Sequence, residues 1–220
     1  MSGGAERAQV RASYDALADE YARHVAGELE HKPFDRAFLD RFAARMGGAG
    51  PVVDVGCGPG HVAAYLHARG LEVRGIDLSP EMVEQARARF PAVPFNAGDV
   101  TALDAPDASW AAAVAFYSLI HLRAGEMAVA LRELRRVLRP GGLLLVAFHV
   151  GEETRHFDEL WGVRIDLDFR FFTSAEMEGW LRAAGFDVES LEERDPYPDV
   201  EAQTRRCYIV ARPAPTNLGE

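Results

Sequence analysis

From residue 52 onward the chain alternates short, nearly continuous apolar runs with longer stretches in which apolar residues recur every three to four positions. Strands are predicted near 52–55, 72–77 and 93–98, with helices over 60–69 and 80–90 between them. Trp110 to Phe116 reads as a fourth strand, followed by a helical stripe of Met127, Leu131, Leu134 and Leu138 that stops at Pro140-Gly141-Gly142. Leu143 to His149 is almost wholly apolar, as expected of a parallel strand covered by helices on both faces. Thr173-x-x-Glu176 is a capping box opening a last helix that closes at Gly185. Strands over 186–193 and 205–212 follow, and the Asp195-Pro196-Tyr197-Pro198 connection favours an antiparallel hairpin.

Upstream, Tyr14, Leu17, Ala18, Tyr21 and Val25 share one helical face, and Phe34, Phe38, Leu39 and Phe42 another. Two helices between Ala5 and Met46 therefore precede the alternating region, and Gly47-Gly48-Ala49-Gly50-Pro51 separates them from it. The expected organisation is one α/β domain over 1–220. It comprises an N-terminal helical cap (1–50), a core (51–150), a lid insertion (151–172), and a C-terminal helix with its hairpin (173–214).

Chemistry enters at Val52-Val53-Asp54-Val55-Gly56-Cys57-Gly58-Pro59-Gly60, a strand that breaks into alternating glycines. Such a strand–turn–helix junction holds a nucleotide-like ligand. A dinucleotide fingerprint has glycine at its sixth position, where this chain has His61, and no Gly-Lys-Ser/Thr of a phosphate loop follows. Asp54, at the strand end, would repel pyrophosphate and suits a cationic ligand. Asp77 ends the second strand about 20 residues past the first glycine, the spacing at which a carboxylate accepts ribose hydroxyls. Asp99 ends the third, placed to accept from an adenine amino group.

The four ordered segments Val53–Gly60, Ile76-Asp77-Leu78-Ser79-Pro80-Glu81-Met82, Gly98-Asp99-Val100 and Leu134–Gly142 resemble the motifs of class I S-adenosylmethionine-dependent methyltransferases, of the small-molecule, type 11/25-like kind. The resemblance covers nearly the whole chain. It implies a Rossmann-like three-layer α/β/α sandwich: a seven-stranded, mostly parallel sheet with strand 7 antiparallel. It also implies S-adenosyl-L-methionine as cofactor, leaving as S-adenosyl-L-homocysteine, and methyl transfer to an oxygen or nitrogen of a small molecule. The residues expected around the cofactor are Tyr14, Tyr21, Asp54, Gly56, Cys57, Gly58, Gly60, Asp77, Leu78, Met82, Gly98, Asp99, Val100, Phe116 and Tyr117. Competing readings are an NAD(P)-dependent oxidoreductase and a non-catalytic module that binds S-adenosylmethionine.

Methyl transfer relies on proximity and alignment, sometimes with a base. His121, after the fourth strand, and His149, at the end of the fifth, are the catalytic candidates; packing at a helix start is the competing reading of His121. The Asn/Asp-Pro-Pro-Tyr/Phe tetrapeptide of amino-methylating relatives acting on adenine or glutamine amide is absent after strand four, which argues against those acceptors. His156, Trp161 and Phe171 are substrate candidates in a loop whose aromatics could exclude water. The spacing of His149, Glu152, Glu153 and His156 fits no metal motif, so no metal is expected. Lys32, the single lysine, is read as solvated, with pairing to the cofactor carboxylate as the alternative. Cys57 is read as a small turn residue.

The formal net charge of −10 argues against nucleic acid as partner. No apolar run reaches the ~20 residues of a membrane span, and residues 1–10 do not read as a secretory signal. With Cys57 and Cys207 far apart, a cytoplasmic protein of bacterial composition is expected, monomeric or homodimeric.

Overall fold

The computed structural model describes residues 3–215. Six α-helices, α1 (Gly3–Val25), α2 (Pro33–Met46), α3 (His61–His67), α4 (Pro80–Arg89), α5 (Ala124–Val137) and α6 (Ser174–Ala183), accompany nine strands among the described residues. The strands are β1 (Val52–Val55), β2 (Val73–Asp77), β3 (Phe95–Ala97), β4 (Trp110–Phe116), β5 (Leu138–His149), β6 (Thr154–Leu160), β7 (Val163–Arg170), β8 (Phe186–Arg194) and β9 (Arg206–Pro213).

Seven strands form one sheet in the order β3-β2-β1-β4-β5-β9-β8. All neighbours are parallel except β9, which runs antiparallel to both β5 and β8. Alternate side chains of one strand enter opposite layers, so Leu143, Leu145 and Ala147 pack with α2, α3 and α4. Leu144, Val146 and Phe148 pack with α5 and α6 on the other face. This is the expected three-layer sandwich, with the strand order reversing between β1 and β4. Ligands of open α/β sheets bind beyond the carboxyl ends of the strands at that reversal.

The helix starts follow local chemistry. Ser79 caps α4 by accepting from the Met82 N–H at 3.1 Å, with Pro80 next, and Thr173 and Glu176 form the expected reciprocal box at α6.

Two local departures have physical causes. Strand β5 begins at Leu138, not Leu143, because Leu138 already pairs with Trp110 and the Pro140-Gly141-Gly142 segment is absorbed as an irregularity in the register. Segment 151–172, expected as a loop, is an antiparallel hairpin of β6 and β7. Its turn is Trp161-Gly162, with φ of 51° and 81°, the positive pair that matches strand twist in a two-residue hairpin. The hairpin lies outside the main sheet and packs on α1: Leu17 is buried with Ile165 and Leu167. Ser13 Oγ accepts from the Asp166 N–H and donates to its carbonyl. Helix α1 and the hairpin thus form one cap over the carboxyl ends of β1 and β4.

Candidate functional site

A cleft at the strand reversal is lined by the β1–α3 turn, the ends of β2 and β4, and α1. The turn is built by backbone bonds: the Gly56 and Cys57 N–H groups both donate to the Ile76 carbonyl, at 2.7 and 3.0 Å. Gly58 N–H then donates to Asp77 Oδ2 at 2.8 Å while Ser79 N–H donates to Oδ1 at 2.9 Å. Asp77 is thereby fixed at the lip of the cleft, each oxygen retaining a lone pair. Burial nevertheless raises its carboxyl to about 6, these N–H groups opposing the rise.

The three glycines of the turn do different work. A Cβ on Gly56 would lie 2.3 Å from Ser118 Cβ, and one on Gly60 would lie 2.7 Å from the Phe95 ring, so both are demanded by packing. Gly56 and Gly58 both line the cleft, but only Gly58 (φ +50°) has open space where a Cβ would stand, with Tyr21 3.8 Å from that position. Gly60, expected beneath the ligand, does not line the cleft; it starts α3 against β3.

Asp54, fully buried at the end of β1, carries an oxygen with no hydrogen-bond partner in the protein. Burial pushes its carboxyl up to about 7, with His61 opposing and Asp77 adding to the rise. His61 Nδ1, also at the cleft, is likewise without a partner.

Asp99 departs from expectation. Arg7 of α1 donates to both its oxygens at 2.6 Å, Thr101 holds it from the other side, and it does not line the cleft. Gly98 and Val100 on either side do line it. Tyr14, Tyr21, Gly56, Cys57, Leu78, Met82, Phe116 and Tyr117 are all at the cleft, as is His121. Tyr117 holds a left-handed φ of 58°, strain of the kind that marks functional turns. The Cys57 thiol is buried against Gly75, and burial raises it well above its usual range.

His121 Nδ1 lies 2.8 Å from the Asp168 carbonyl and Nε2 2.7 Å from Tyr14 Oη. The carbonyl can only accept, so Nδ1 carries the proton and Tyr14 donates to Nε2. Burial pushes the imidazole down to about 4, the Asp168 carbonyl opposing.

Beyond Tyr21 and Glu28, which line both spaces, a second chamber of about 930 Å³ opens. Phe157, Trp161, Phe169 and Phe171 form one wall, and His149, Thr204 and Arg206 belong to the other. Trp161 stacks on His24 with ring centres 4.2 Å apart, docking the hairpin tip on α1. His156 is not at the chamber: Arg155 and Phe157 line it, and strand alternation turns His156 away, 3.0 Å from Asp168. Lys32, read as solvated, is buried, 2.6 Å from Glu28 and 3.8 Å from Glu201. Burial alone would raise Glu28, but His61 and Lys32 hold it at about 2. Below the chamber, Arg194 links buried Asp35 to Glu201, and Arg206 Nε lies 3.0 Å from Glu201. His149 Nδ1 meets Thr204 Oγ1 at 2.7 Å; burial, with Arg206 and Lys32, pushes this imidazole to about 3.

Among the lining residues that sequence reasoning missed are Arg7, Val10, Glu28, His61 and Ser118. Arg7 and Glu28 sit at the start of α1 and in the turn after it, where no spacing distinguishes them from solvated charges.

Residues 52–142 match the methyltransferase-domain family. A probable S-adenosylmethionine-dependent methyltransferase of Mycolicibacterium smegmatis is 34% identical over 193 residues, covering 78% of this chain and 69% of the relative. The chain belongs to the S-adenosylmethionine-dependent methyltransferase family. It is also 34% identical over 129 residues to the malonyl-[acyl-carrier protein] O-methyltransferase of Pseudescherichia vulneris, covering 58% of this chain and 51% of that one. The chain thus spans about half the length of that relative. Among solved structures, the 1,6-didemethyltoxoflavin-N1-methyltransferase of Burkholderia thailandensis, with 1,6-didemethyltoxoflavin and S-adenosylhomocysteine bound, superposes with a TM-score of 0.71 at 25% identity, covering 96% of this chain and 89% of that chain.

The cleft fits the family's sulfonium ligand on its own chemistry. An unpartnered carboxylate oxygen, a second carboxylate at the lip and an open glycine suit a cationic group with an attached ribose. The same floor holds no arginine or lysine of the turn that would meet a pyrophosphate.

Proposed function

We propose that the protein transfers a methyl group from S-adenosylmethionine to a nitrogen or oxygen atom of a small molecule. The observation that carries this is the junction of two spaces at Tyr21 and Glu28: a narrow cleft floored by Asp54 and Gly58, and a wide chamber walled by aromatics. In this reading Asp77 accepts the ribose hydroxyls, Gly98 and Val100 frame the adenine, and Asp54 faces the positive end. When bound, the ligand supplies an electrophilic methyl group, and the protein's part is alignment and exclusion of water by the α1–hairpin cap. His121, with both ring nitrogens engaged, acts as a positioning residue.

A dinucleotide-dependent oxidoreductase is disfavoured by Asp54 and by His61 at the sixth position of the turn. Titration with S-adenosylhomocysteine and with NAD, read by thermal shift, tests the choice: the former is expected to raise the melting temperature, and stabilisation by NAD alone refutes the assignment. Methyl transfer from labelled donor to a metabolite panel tests catalysis; tight donor binding with no turnover across it would favour a binding module. No helix of the described residues is long and apolar enough to cross a membrane. We infer a cytoplasmic site of action, supported by two buried free cysteines, and no nucleic-acid partner, supported by the charge of −10.

A further inference from the structure

The methyl donor carries one negative group, the carboxylate of its amino-acid tail, and the cleft has few places for it. In the glycine turn the N–H groups of Gly56, Cys57, Gly58 and Gly60 are all committed inside the protein, and Pro59 has none. Three basic side chains line the cleft. Arg7 forks onto Asp99, and His121 uses both ring nitrogens, on Tyr14 and on the Asp168 carbonyl. The third is His61, whose Nδ1 is buried at the cleft without a hydrogen-bond partner.

The other ring nitrogen shows what Nδ1 is ready to do. His61 Nε2 lies 3.1 Å from Glu28 Oε1, and Glu28 Oε2 meets Lys32 Nζ at 2.6 Å. Burial would raise the Glu28 carboxyl, yet His61 and Lys32 hold it at about 2, so it is ionised and can only accept. Nε2 therefore donates to Glu28. A ligand carboxylate at Nδ1 would complete an imidazolium with an anion on each nitrogen, both bonds charge-assisted. Lys32 balances Glu28, so the trio with a protonated His61 offers one positive charge to the cleft. Glu201, 3.8 Å from Lys32, has Arg194 and Arg206 of its own. Asp54, with its unpartnered oxygen, repels an anion and leaves the carboxylate to His61.

We propose that His61 selects the methyl donor by its carboxylate, receiving that group on Nδ1 while Glu28 and Lys32 hold the imidazole in place. This rests on the methyl-transfer reading, which puts adenine and ribose at the Gly98–Asp77 end and so sends the amino-acid tail towards Asp54 and His61. Tyr21, which lines the same end beside Gly58, brings only a neutral hydroxyl. A ligand without the carboxylate would bury Nδ1 unpaired, and an unpaired buried polar group is what makes such a site discriminate.

The test is calorimetric titration of three adenosyl probes: S-adenosylhomocysteine, its decarboxylated analogue S-adenosyl-3-thiopropylamine, and methylthioadenosine, which lacks the whole amino-acid tail. The parent is expected to bind S-adenosylhomocysteine at least about tenfold more tightly than the decarboxylated analogue. His61→Ala should erase most of that preference and leave methylthioadenosine affinity unchanged, and His61→Asn, with a polar atom near the Nδ1 position, should retain part of it. Equal parent affinity for the first two probes overturns this inference and leaves the methyl-transfer reading intact. So does a preference removed by Tyr21→Phe and not by His61→Ala. An equal loss of all three probes in both His61 variants makes His61 a structural residue and overturns the inference as well. Binding of no adenosyl probe by the parent overturns the methyl-transfer reading, and this inference with it.

Discussion

Tyr14 donates its hydroxyl proton to His121 Nε2 across 2.7 Å, and this bond joins the cap to the turn after β4. Because His121 also binds the Asp168 carbonyl of the hairpin, one imidazole couples α1, β7 and the core. Tyr14→Phe should cost about 1 kcal/mol of stability. It should raise KM for the methyl donor more than it lowers kcat, since the bond positions the cap. His121 titrates near 4 in the folded protein, below its usual value, so activity should show no limb between pH 6 and 7 from this group. The sign for stability is fixed by linkage. The unfolded chain takes up the His121 proton first, so stability holds above pH ~6.5, falls below it, and levels off once the folded protein also protonates. Denaturant titrations from pH 4 to 8, with Tyr14→Phe and His121→Gln beside the parent, check both expectations.

Asp54 has the opposite sign. Its carboxyl is raised to about 7, so the empty protein holds a proton that the unfolded chain has lost, and stability should decline as pH rises from about 4 to 7. Asp54→Asn should remove this decline and stabilise the ligand-free protein at pH 8 by on the order of a few kcal/mol. The same change should weaken the cationic donor more than neutral S-adenosylhomocysteine. In the parent, donor affinity should rise with pH as Asp54 and Asp77 ionise, whereas affinity for the neutral product should change less. Calorimetry at pH 5.5 and 8 measures both slopes; equal slopes for the two ligands would contradict the electrostatic account.

The glycine turn yields a paired test. Gly60→Ala must fit a Cβ against the Phe95 ring at 2.7 Å with φ at +83°, so it should lose several kcal/mol and fold poorly. Gly58→Ala meets no atom closer than 3.8 Å and should cost only about 1 kcal/mol for its left-handed backbone. Its methyl group enters the cleft, so donor affinity should fall sharply while the melting temperature barely moves. Thermal melts with and without S-adenosylhomocysteine separate the two outcomes.

Legibility in the sequence followed the range of the interactions. Strands β1, β2 and β4 and the Ser79 and Thr173 caps depend on local periodicity and turn chemistry, and were readable for that reason, whereas the seven-stranded sheet with its reversed strand was implied only by the family resemblance. The hairpin was missed although Val163-Arg164-Ile165-Asp166-Leu167-Asp168 alternates strictly, because its turn, Trp161-Gly162, puts a bulky residue at φ 51° where Asn or Asp is the usual signal. That error carried His156 into the site, since a loop imposes no alternation. Asp99 was misplaced for a different reason: its partner Arg7 lies 92 residues away, and Lys32, although Glu28 stands four residues before it, is also enclosed beside Glu201, 169 residues on. Ion pairs of that separation leave no spacing to read.

Arg7 carries the last expectation. Its guanidinium forks onto both oxygens of Asp99 at 2.6 Å with only 15% of the side chain exposed, a geometry stronger than an open surface pair. It pins the first turns of α1 across the cleft, beside Gly98 and Val100. Arg7→Ala leaves Asp99 still held by Thr101, so global stability should drop by only about 1 kcal/mol. The first turns of α1 should open more often, seen as faster amide exchange over residues 4–14. Donor and product should then enter and leave faster, by about tenfold in both rate constants, with a smaller change in Kd. Arg7→Lys keeps the charge without the fork and should fall between the two. Unchanged exchange in α1 with altered affinity would instead place Arg7 in direct contact with the ligand.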